Sequence, residues 1–382
     1  MLETVTIKDL GEITTGNTPP RSKPELYGKH TPFIKATDIS ESSKYTYCPE
    51  ECYSEEGFQK YKSSLIPKGS TCVVTIGSVG KKLTMAHCDC FINQAMNAII
   101  PNQNFDNEYV YYLLRHNVHK LKMLDSGTAS GRENISKSAF SNMEIEVIQE
   151  KDKQIQIGSV LSKYDALIEN NHKQIQLLEE VAQRLYKEWF VDLRFPGYAD
   201  ATIVDGVPEG WVKGTLGDIA LFKRGKTITK AQVRKGEVAV VAGGLEPAYY
   251  HNSANTMAPV ITVSGSGANA GFTRLYNVDV FASDCSFADS KTTSYLYFAY
   301  CFLKHNKASV DALRKGAAQP HVYAKDVNAL ELIIPSDNLL EVYTEYVFPY
   351  FETIKVLQRQ IELSSEARDR LLPKLMKGEL EV

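Results

Sequence analysis

No stretch of the 382 residues approaches the roughly 18 consecutive apolar residues needed to span a bilayer. Residues 1–12 lack the basic-then-apolar order of a secretory signal, so a cytoplasmic location without membrane contact is expected. An excess of one charge is also missing. The 43 Lys+Arg against 46 Asp+Glu leave a net charge of −3, which excludes a disordered acidic chain and a wholly basic nucleic-acid coat. A local basic face is still compatible with that balance. Cysteines number seven, five of them in the first hundred residues, an odd count that suits reduced buried thiols better than a disulfide framework. Cys48-x3-Cys52 with Cys88-x-Cys90 departs from the paired CxxC spacing of a zinc site, so no resident metal is expected.

Catalytic signatures are equally scarce. Gly225-Lys226-Thr227 resembles the end of a phosphate-binding loop, but Ala220 stands where its first glycine belongs. Asp279 with Asp289-Ser290-Lys291 mimics the acids and lysine of a Mg²⁺ nuclease, with no equivalent in the first half. Asn17-Thr18-Pro19-Pro20 has the wrong order for the base-holding motif of amino-methyltransferases, and residues 265–271 are glycine-rich without dinucleotide-loop spacing. No Ser/His/Asp or Cys/His set stands out among the eight histidines. Binding is therefore expected rather than catalysis, with no catalytic, cofactor-binding or metal residue in the chain.

The chain does contain two unlike copies of itself. Leu10-Gly11-Glu12-Ile13 has a counterpart in Leu216-Gly217-Asp218-Ile219, and Val73-Val74-Thr75-Ile76-Gly77-Ser78-Val79-Gly80 in Ile261-Thr262-Val263-Ser264-Gly265-Ser266-Gly267. Gly127-Thr128-Ala129 followed by Ser136-Lys137 and Ile145-Glu146-Val147-Ile148 parallels Gly316-Ala317-Ala318 followed by Ala324-Lys325 and Leu332-Ile333-Ile334-Pro335. The offsets cluster near half the chain length, the mark of a diverged tandem duplication.

Each half ends in a heptad seam. Ile157, Leu161, Tyr164, Ile168, Asn171, Ile175, Leu178, Ala182, Leu185 and Trp189 alternate steps of four and three. Adding 186 to these numbers gives Tyr343, Val347, Tyr350, Ile354, Leu357, Ile361, Ser364, Arg368, Leu371 and Leu375, the same register weakened only at Ser364 and Arg368. Helices of about 35–40 residues would be on the order of 50–60 Å long. A stripe this narrow is not stable alone, so the two seams are expected to bury each other as an antiparallel intramolecular coiled coil. Pro349 and Pro373 are expected to kink or end the second helix, because each lacks an N–H and crowds the preceding turn. Asn171 reads either as a tolerated polar defect or as a register-fixing residue.

The remaining segments are mixed. Short β-branched runs at 71–76, 98–101, 238–241 and 259–263 predict strands, and helical spacing at 107–121 and 294–305 predicts one helix per half. Their aromatics, Tyr109 and Tyr112 in one and Tyr295, Phe298 and Phe302 in the other, are expected to be core. The fold class is α+β, with a pseudo-twofold tandem arrangement of globular segments at 1–149 and 196–335 and helical segments at 150–195 and 336–382.

This organisation resembles the DNA specificity subunit of type I restriction-modification systems across essentially the whole chain. The most specific portion runs from Ala166-Leu167-Ile168-Glu169-Asn170-Asn171 through Leu177-Leu178-Glu179-Glu180 to Leu185-Tyr186-Lys187-Glu188-Trp189-Phe190-Val191-Asp192-Leu193-Arg194-Phe195-Pro196-Gly197, similar to the family's central conserved region. Val207-Pro208-Glu209-Gly210-Trp211 resembles the opening of a target recognition domain, and Ser130-Gly131-Arg132-Glu133-Asn134-Ile135-Ser136 the approach to its final strand. The first half lacks the Pro-x-Gly-Trp opening, and the second has Gln319-Pro320-His321-Val322 where the first has Gly131-Arg132-Glu133-Asn134-Ile135. The resemblance implies that each domain reads one half of a bipartite, asymmetric double-stranded DNA site. It implies too that the helices set the spacing and dock two methyltransferase subunits, and that restriction subunits join the complex. S-adenosylmethionine, ATP and Mg²⁺ would reside in those partners. The alternative reading is a structural adaptor carrying two protein-binding domains on a coiled-coil spacer.

Charge is distributed in keeping with the first reading. Residues 150–195 and 336–382 together carry −4, so the rest of the chain carries +1. Basic groups in predicted loops are the candidates for DNA contact: Arg21, Lys23, Lys35, Lys81, Lys82 and Arg132 in the first half, and Arg224, Lys226, Lys230, Arg274, Lys315 and His321 in the second. Asn269 and Gln319 are added as residues able to pair with adenine.

Overall fold

The computed structural model describes residues 2–125, 133–204, 206–316 and 319–381. The chain divides into two compact units, Met1–His172 with Arg359–Val382, and Lys173–Gln358.

In the first unit the strand Leu2–Thr6 pairs antiparallel with Glu144–Ile148. Thr6 then caps the single turn Ile7–Leu10: its backbone N–H and its hydroxyl both donate to the Asp9 carboxylate. A four-stranded sheet follows in the order Gly11–Thr15, Met96–Pro101, Thr71–Val74, Leu83–Met85. A second sheet has the order Tyr27–Gly28, Glu51–Tyr53, Thr31–Ile34, Phe91–Ile92, the last two parallel. The helix Asn107–Asn117 starts at Asp106, whose carboxylate accepts from Tyr109 N at 2.9 Å, and it buries Tyr109, Tyr111, Tyr112 and Leu113. These aromatics are core, as their spacing predicts.

The second unit repeats this plan. Val212–Thr215 pairs with Glu331–Ile334, and Thr215 with Asp218 forms the same cap on Leu216–Ile219. The sheet order is Lys223–Arg224, Cys285–Asp289, Val260–Ser264, Thr273–Tyr276. Beside it lie Tyr249–His251, Val238–Val241 and the parallel Phe281–Ala282. The helix is Leu296–His305, with Phe298 and Phe302 buried. The tandem repeat is thus a repeat of topology, and its phasing differs from that of the Leu-Gly-x-Ile match. Thr6 and Asp9 correspond to Thr215 and Asp218, so Leu10-Gly11 falls three residues later in its own copy. The cap fixes the phase because it needs a hydroxyl and a carboxylate three residues apart, whereas Leu-Gly needs nothing that both copies share. Residues 127–132, 317 and 318, part of the third match, lie outside the described residues.

The first long helix is Lys151–Tyr186, 36 residues, and it ends in a π-turn at Lys187–Val191. The second is Asp337–Met376, 40 residues. In the first unit Arg368 reaches Asp165 and Asn171 Nδ2 donates to Gln360 Oε1 at 3.2 Å, so numbers rise along one helix as they fall along the other. The antiparallel coiled coil is present. Of the seam, Ile157, Leu161, Ile168 and Asn171 are buried in the first unit, and Trp189, Tyr343, Val347, Ile354 and Leu357 in the second. Leu375 is buried in the first unit as well. Tyr164, Ile361 and Leu371 in the first unit and Ile175, Leu178, Leu185 and Tyr350 in the second are half-buried.

The apolar stripe is wider than the heptads show, because each helix also covers its own globular neighbour. In the second unit Phe351 stacks on Tyr297 at 4.2 Å and 1° and Tyr186 meets Phe298 at 5.5 Å. Each ring buried this way is worth about 1.5–3 kcal/mol. The two weak points of the second seam, Ser364 and Arg368, are both buried. Arg368 is accommodated by ion pairs to Asp165 and Asp369.

Of the kink or end expected at each proline, an end does not occur at Pro349, since the helix continues to Met376, whereas the helix does end within one turn of Pro373. Pro373 sits in the last turn before Met376, where the helix has little left to interrupt. Pro349 is on the solvent side, where the carbonyl left without an N–H partner stays open to water, and its own carbonyl accepts from Thr353 Oγ1 at 2.8 Å.

Candidate nucleic-acid interface

In the second unit five loops meet at the end of the strand Val260–Ser264. Backbone bonds stitch them together: Gly225 N donates to Cys285 O at 2.8 Å, Lys226 N to Ala282 O at 2.9 Å, Ser283 N to Val241 O at 2.8 Å, and Gly265 N to Asp284 O at 3.0 Å. Gly267 N donates to Pro320 O and Val322 N to Gly265 O, each at 3.0 Å. The polar side chains of this loop cluster are Lys226, Ser266, Asn269, Asp284, Gln319 and His321, with the His321 ring parallel to Tyr323 at 6.1 Å.

The first unit repeats the stitching with other residues. Gly16 N donates to Met96 O at 3.1 Å, Asn17 N to Ile92 O at 2.8 Å, Asn93 N to Ile34 O at 3.1 Å and Thr75 N to Ala95 O at 2.9 Å. Gly77 N donates to Glu133 O and Ile135 N to Thr75 O, each at 2.9 Å. Here the cluster presents Asn17, Thr18, Lys82, Gln94 and Glu133. Gly77 at φ +94° and Gly267 at φ +77° occupy the same position, both in the left-handed region, and a Cβ on either would meet nothing within 4 Å among the described residues. Among the described residues nothing covers the backbone there, so another backbone or a phosphate could approach it.

The sequence-derived candidates divide on this geometry. Lys226, Asn269, Gln319 and His321 are brought together, and Arg224 leads into the cluster from the strand Lys223–Arg224. Lys315 faces His321 across an isolated bridge but directs its ammonium to Asp326 at 2.8 Å. Arg274 lies on the edge strand Thr273–Tyr276, donating to Leu245 O at 2.9 Å and lying over the Tyr276 ring at 5.0 Å. Lys230 sits in the turn Lys230–Gln232, outside these loops. In the first unit Lys82 joins the cluster, its Nζ 3.4 Å from Ala36 O, with Lys81 exposed beside it. Lys23 is exposed ahead of the turn Pro24–Leu26. Arg132 lies outside the described residues.

Arg21 and Lys35 are engaged elsewhere. Arg21 binds both oxygens of Glu51, at 2.6 and 3.0 Å, and Lys35 pairs with Glu50 and, at 3.6 Å, with Glu51. The Arg21 hydrogen bond, helped by Lys35, holds the Glu51 carboxyl below the usual carboxylate range. A phosphate approaching either cation would compete with these carboxylates.

Sequence reasoning missed Ser266, Asp284, Thr18 and Gln94. Ser266 Oγ donates to Asp284 Oδ2, and Thr18 Oγ1 to Gln94 Oε1. The available signal for Ser266 is the glycine-rich run 265–271, which lacks dinucleotide-loop spacing and forms one of the five loops of this cluster. The nuclease-like acids have local duties: Asp289 accepts from Met257 N at 3.0 Å and Thr292 Oγ1 at 2.9 Å, and Asp279 from Ala258 N at 2.8 Å. All seven cysteines are free thiols. Among the described residues no group of three or more His, Cys, Asp or Glu side chains is arranged to hold a metal ion, and no helix is long and apolar enough to cross a membrane.

Residues 2–180 and 208–363 match the type I restriction modification DNA specificity domain. The type I restriction enzyme MjaIX specificity subunit of Methanocaldococcus jannaschii is 27% identical over 98% of this chain and 93% of its own. The HindI specificity subunit of Haemophilus influenzae is 31% identical over 45% of this chain and 38% of its own. The crystal structure of the type I restriction-modification S subunit from M. genitalium superposes with a TM-score of 0.60 at 18% identity, covering 98% of this chain and 96% of that one, a likeness of fold. With the family domain matched twice and its topology repeated in both units, the chain belongs to the type I restriction-modification DNA specificity family.

Proposed function

We propose that the chain recognises a bipartite, asymmetric double-stranded DNA sequence for a type I restriction-modification complex. Residues 1–149 and 196–335 act as the two recognition domains, each presenting its loop cluster to one half-site. The observation that carries this reading is one scaffold present twice whose loop clusters carry different polar side chains: Asn17, Lys82 and Gln94 in one copy, and Lys226, Asp284 and His321 in the other. Unlike readers on like frames suit unlike half-sites. Basic groups near each cluster neutralise phosphates, and the amide, carboxylate and imidazole groups address base edges.

The helices set the separation of the half-sites and offer docking surface to two methyltransferase subunits, with restriction subunits joining the assembly. Exposed Leu167 and Leu363 in the first unit, and Leu177, Val181 and Val356 in the second, are apolar groups available for such docking. On this reading methyl transfer, ATP hydrolysis and DNA cleavage, with S-adenosylmethionine, ATP and Mg²⁺, belong to the partners. The chain itself catalyses nothing. Selection from a random-sequence DNA pool with the assembled complex tests the proposal. Enrichment of a split motif with unlike halves is expected; a pool without a split motif overturns it.

A further inference from the structure

Asp284 is out of place on a surface that binds polyanions. It lies in the loop cluster of the second unit, half-buried, two residues from Ala282, which accepts from Lys226 N, and two from Ser286, which pairs with Arg224, yet among the described residues no Lys or Arg forms an ion pair with it. Its carboxylate is held instead by neutral groups. Ser266 Oγ donates to Oδ2, and the strand end at Gly265 passes so close that a Cβ there would stand 3.1 Å from both Asp284 O and Oδ1. Gly243 closes the other side, where a Cβ would stand 2.7 Å from Ser266 O and 3.1 Å from its Oγ. Two glycines therefore let three loops pack around one hydroxyl–carboxylate pair and fix its direction.

An ionised carboxylate only accepts hydrogen bonds, and near phosphates it costs affinity. One oxygen is occupied by Ser266, and the other has acceptor capacity left. In the major groove the groups that satisfy it are the exocyclic amines cytosine N4 and adenine N6, whereas guanine O6 and N7 and thymine O4 present lone pairs and repel it; the guanine N2 amine lies in the minor groove. The counterpart in the first unit is Ala95, identified by the shared bond in which Thr75 N donates to Ala95 O as Gly265 N donates to Asp284 O. At that position the first unit therefore has a methyl group and no acceptor side chain.

We infer that Asp284, oriented by Ser266, is a specificity-determining acceptor that requires an amino-bearing base, cytosine or adenine, at one position of the half-site read by the second unit. This rests on the DNA-reading function proposed above. The test is selection from a random DNA pool by the complex assembled with wild type, Asp284→Asn or Ser266→Ala. The wild type is expected to show one position restricted to cytosine or adenine in one half-site. Asp284→Asn, which keeps the shape but adds donors, is expected to weaken that restriction on the order of ten-fold, and Ser266→Ala to weaken it less. The other half-site should be unchanged in both and so reports that the complex is intact. Unaltered base preference in Asp284→Asn, or equal loss in both half-sites, overturns the inference while leaving the DNA-reading function standing. A wild type that selects no split motif overturns both.

Discussion

Arg368 and Asp165 form a buried ion pair between the two long helices within the first unit, with 3% and 7% of their side chains exposed. Tyr112, from the helix Asn107–Asn117, donates its hydroxyl to the second Asp165 oxygen, so one carboxylate joins the globular part to both long helices. Asp369 takes the other side of the guanidinium at 2.9 Å. Burial alone would push the Arg368 pKa down; the two carboxylates more than offset it and raise it.

Removing one partner leaves a charge without compensation in a dry site. Arg368→Met is expected to destabilise the first unit by about 3–5 kcal/mol, and Asp165→Leu with Arg368→Met to recover most of that loss. Both tryptophans, Trp189 and Trp211, lie in the second unit. Calorimetry of the whole chain should therefore record a larger shift than tryptophan fluorescence does. Equal shifts by both probes would contradict the assignment of the pair to the first unit alone.

Asn171 is the polar position on the first seam, and its partner is Gln360. Asn171→Leu is expected to raise the denaturation midpoint slightly while increasing concentration-dependent self-association, since a polar seam residue restricts which helices can pair. Sedimentation at several concentrations reads the second effect. An unchanged monomer fraction would make Asn171 a tolerated defect only.

The first unit should lose stability on mild acidification. Burial lowers the pKa of His87 and His116 below the ordinary histidine value of 6.5. The unfolded chain then binds more protons than the folded one, so stability is intact above about pH 6.5 and falls as pH drops through the depressed values. Among the described residues the buried Nδ1 of His87 has no hydrogen-bond partner, and its ring lies 4.8 Å from Tyr47. His87→Phe should flatten part of the decline in melting temperature between pH 7.5 and 5.5. A steeper decline would refute the sign.

Salt dependence separates free-standing cations from engaged ones. Lys226→Ala is expected to lower the slope of log affinity against log salt by about one if the ammonium meets a phosphate, with little change in sequence preference. Arg21→Ala should leave the slope nearly unchanged, because Arg21 is already held by both Glu51 oxygens. The reverse ranking would relocate the interface.

Much of the architecture is legible from spacing. Heptads mark the helices because the period of a seam is a local property, and the tandem copies show because both keep the same apolar runs. Arg368 reads as a weak point for the opposite reason: its compensation is Asp165, 203 positions away, and no local pattern connects them. Pro349 reads as a break because sequence does not reveal that its side of the helix faces water. The interface is the least legible part. Lys226, Ser266 and Asp284 come from three separate loops that are joined by backbone bonds and by the Ser266–Asp284 side-chain bond, and Arg21 looks like a loop cation until Glu51 is seen beside it.

The division of the chain into units bears on the order in which it can fold. The second unit, Lys173–Gln358, is contiguous, whereas the first joins Met1–His172 to Arg359–Val382 and is interrupted in sequence by the second. A ribosome delivers every residue of the second unit before it delivers Arg368. Until then Asp165 and the seam from Ile157 to Asn171 wait without the strand of helix that covers them, so the half of the protein made first is the half completed last.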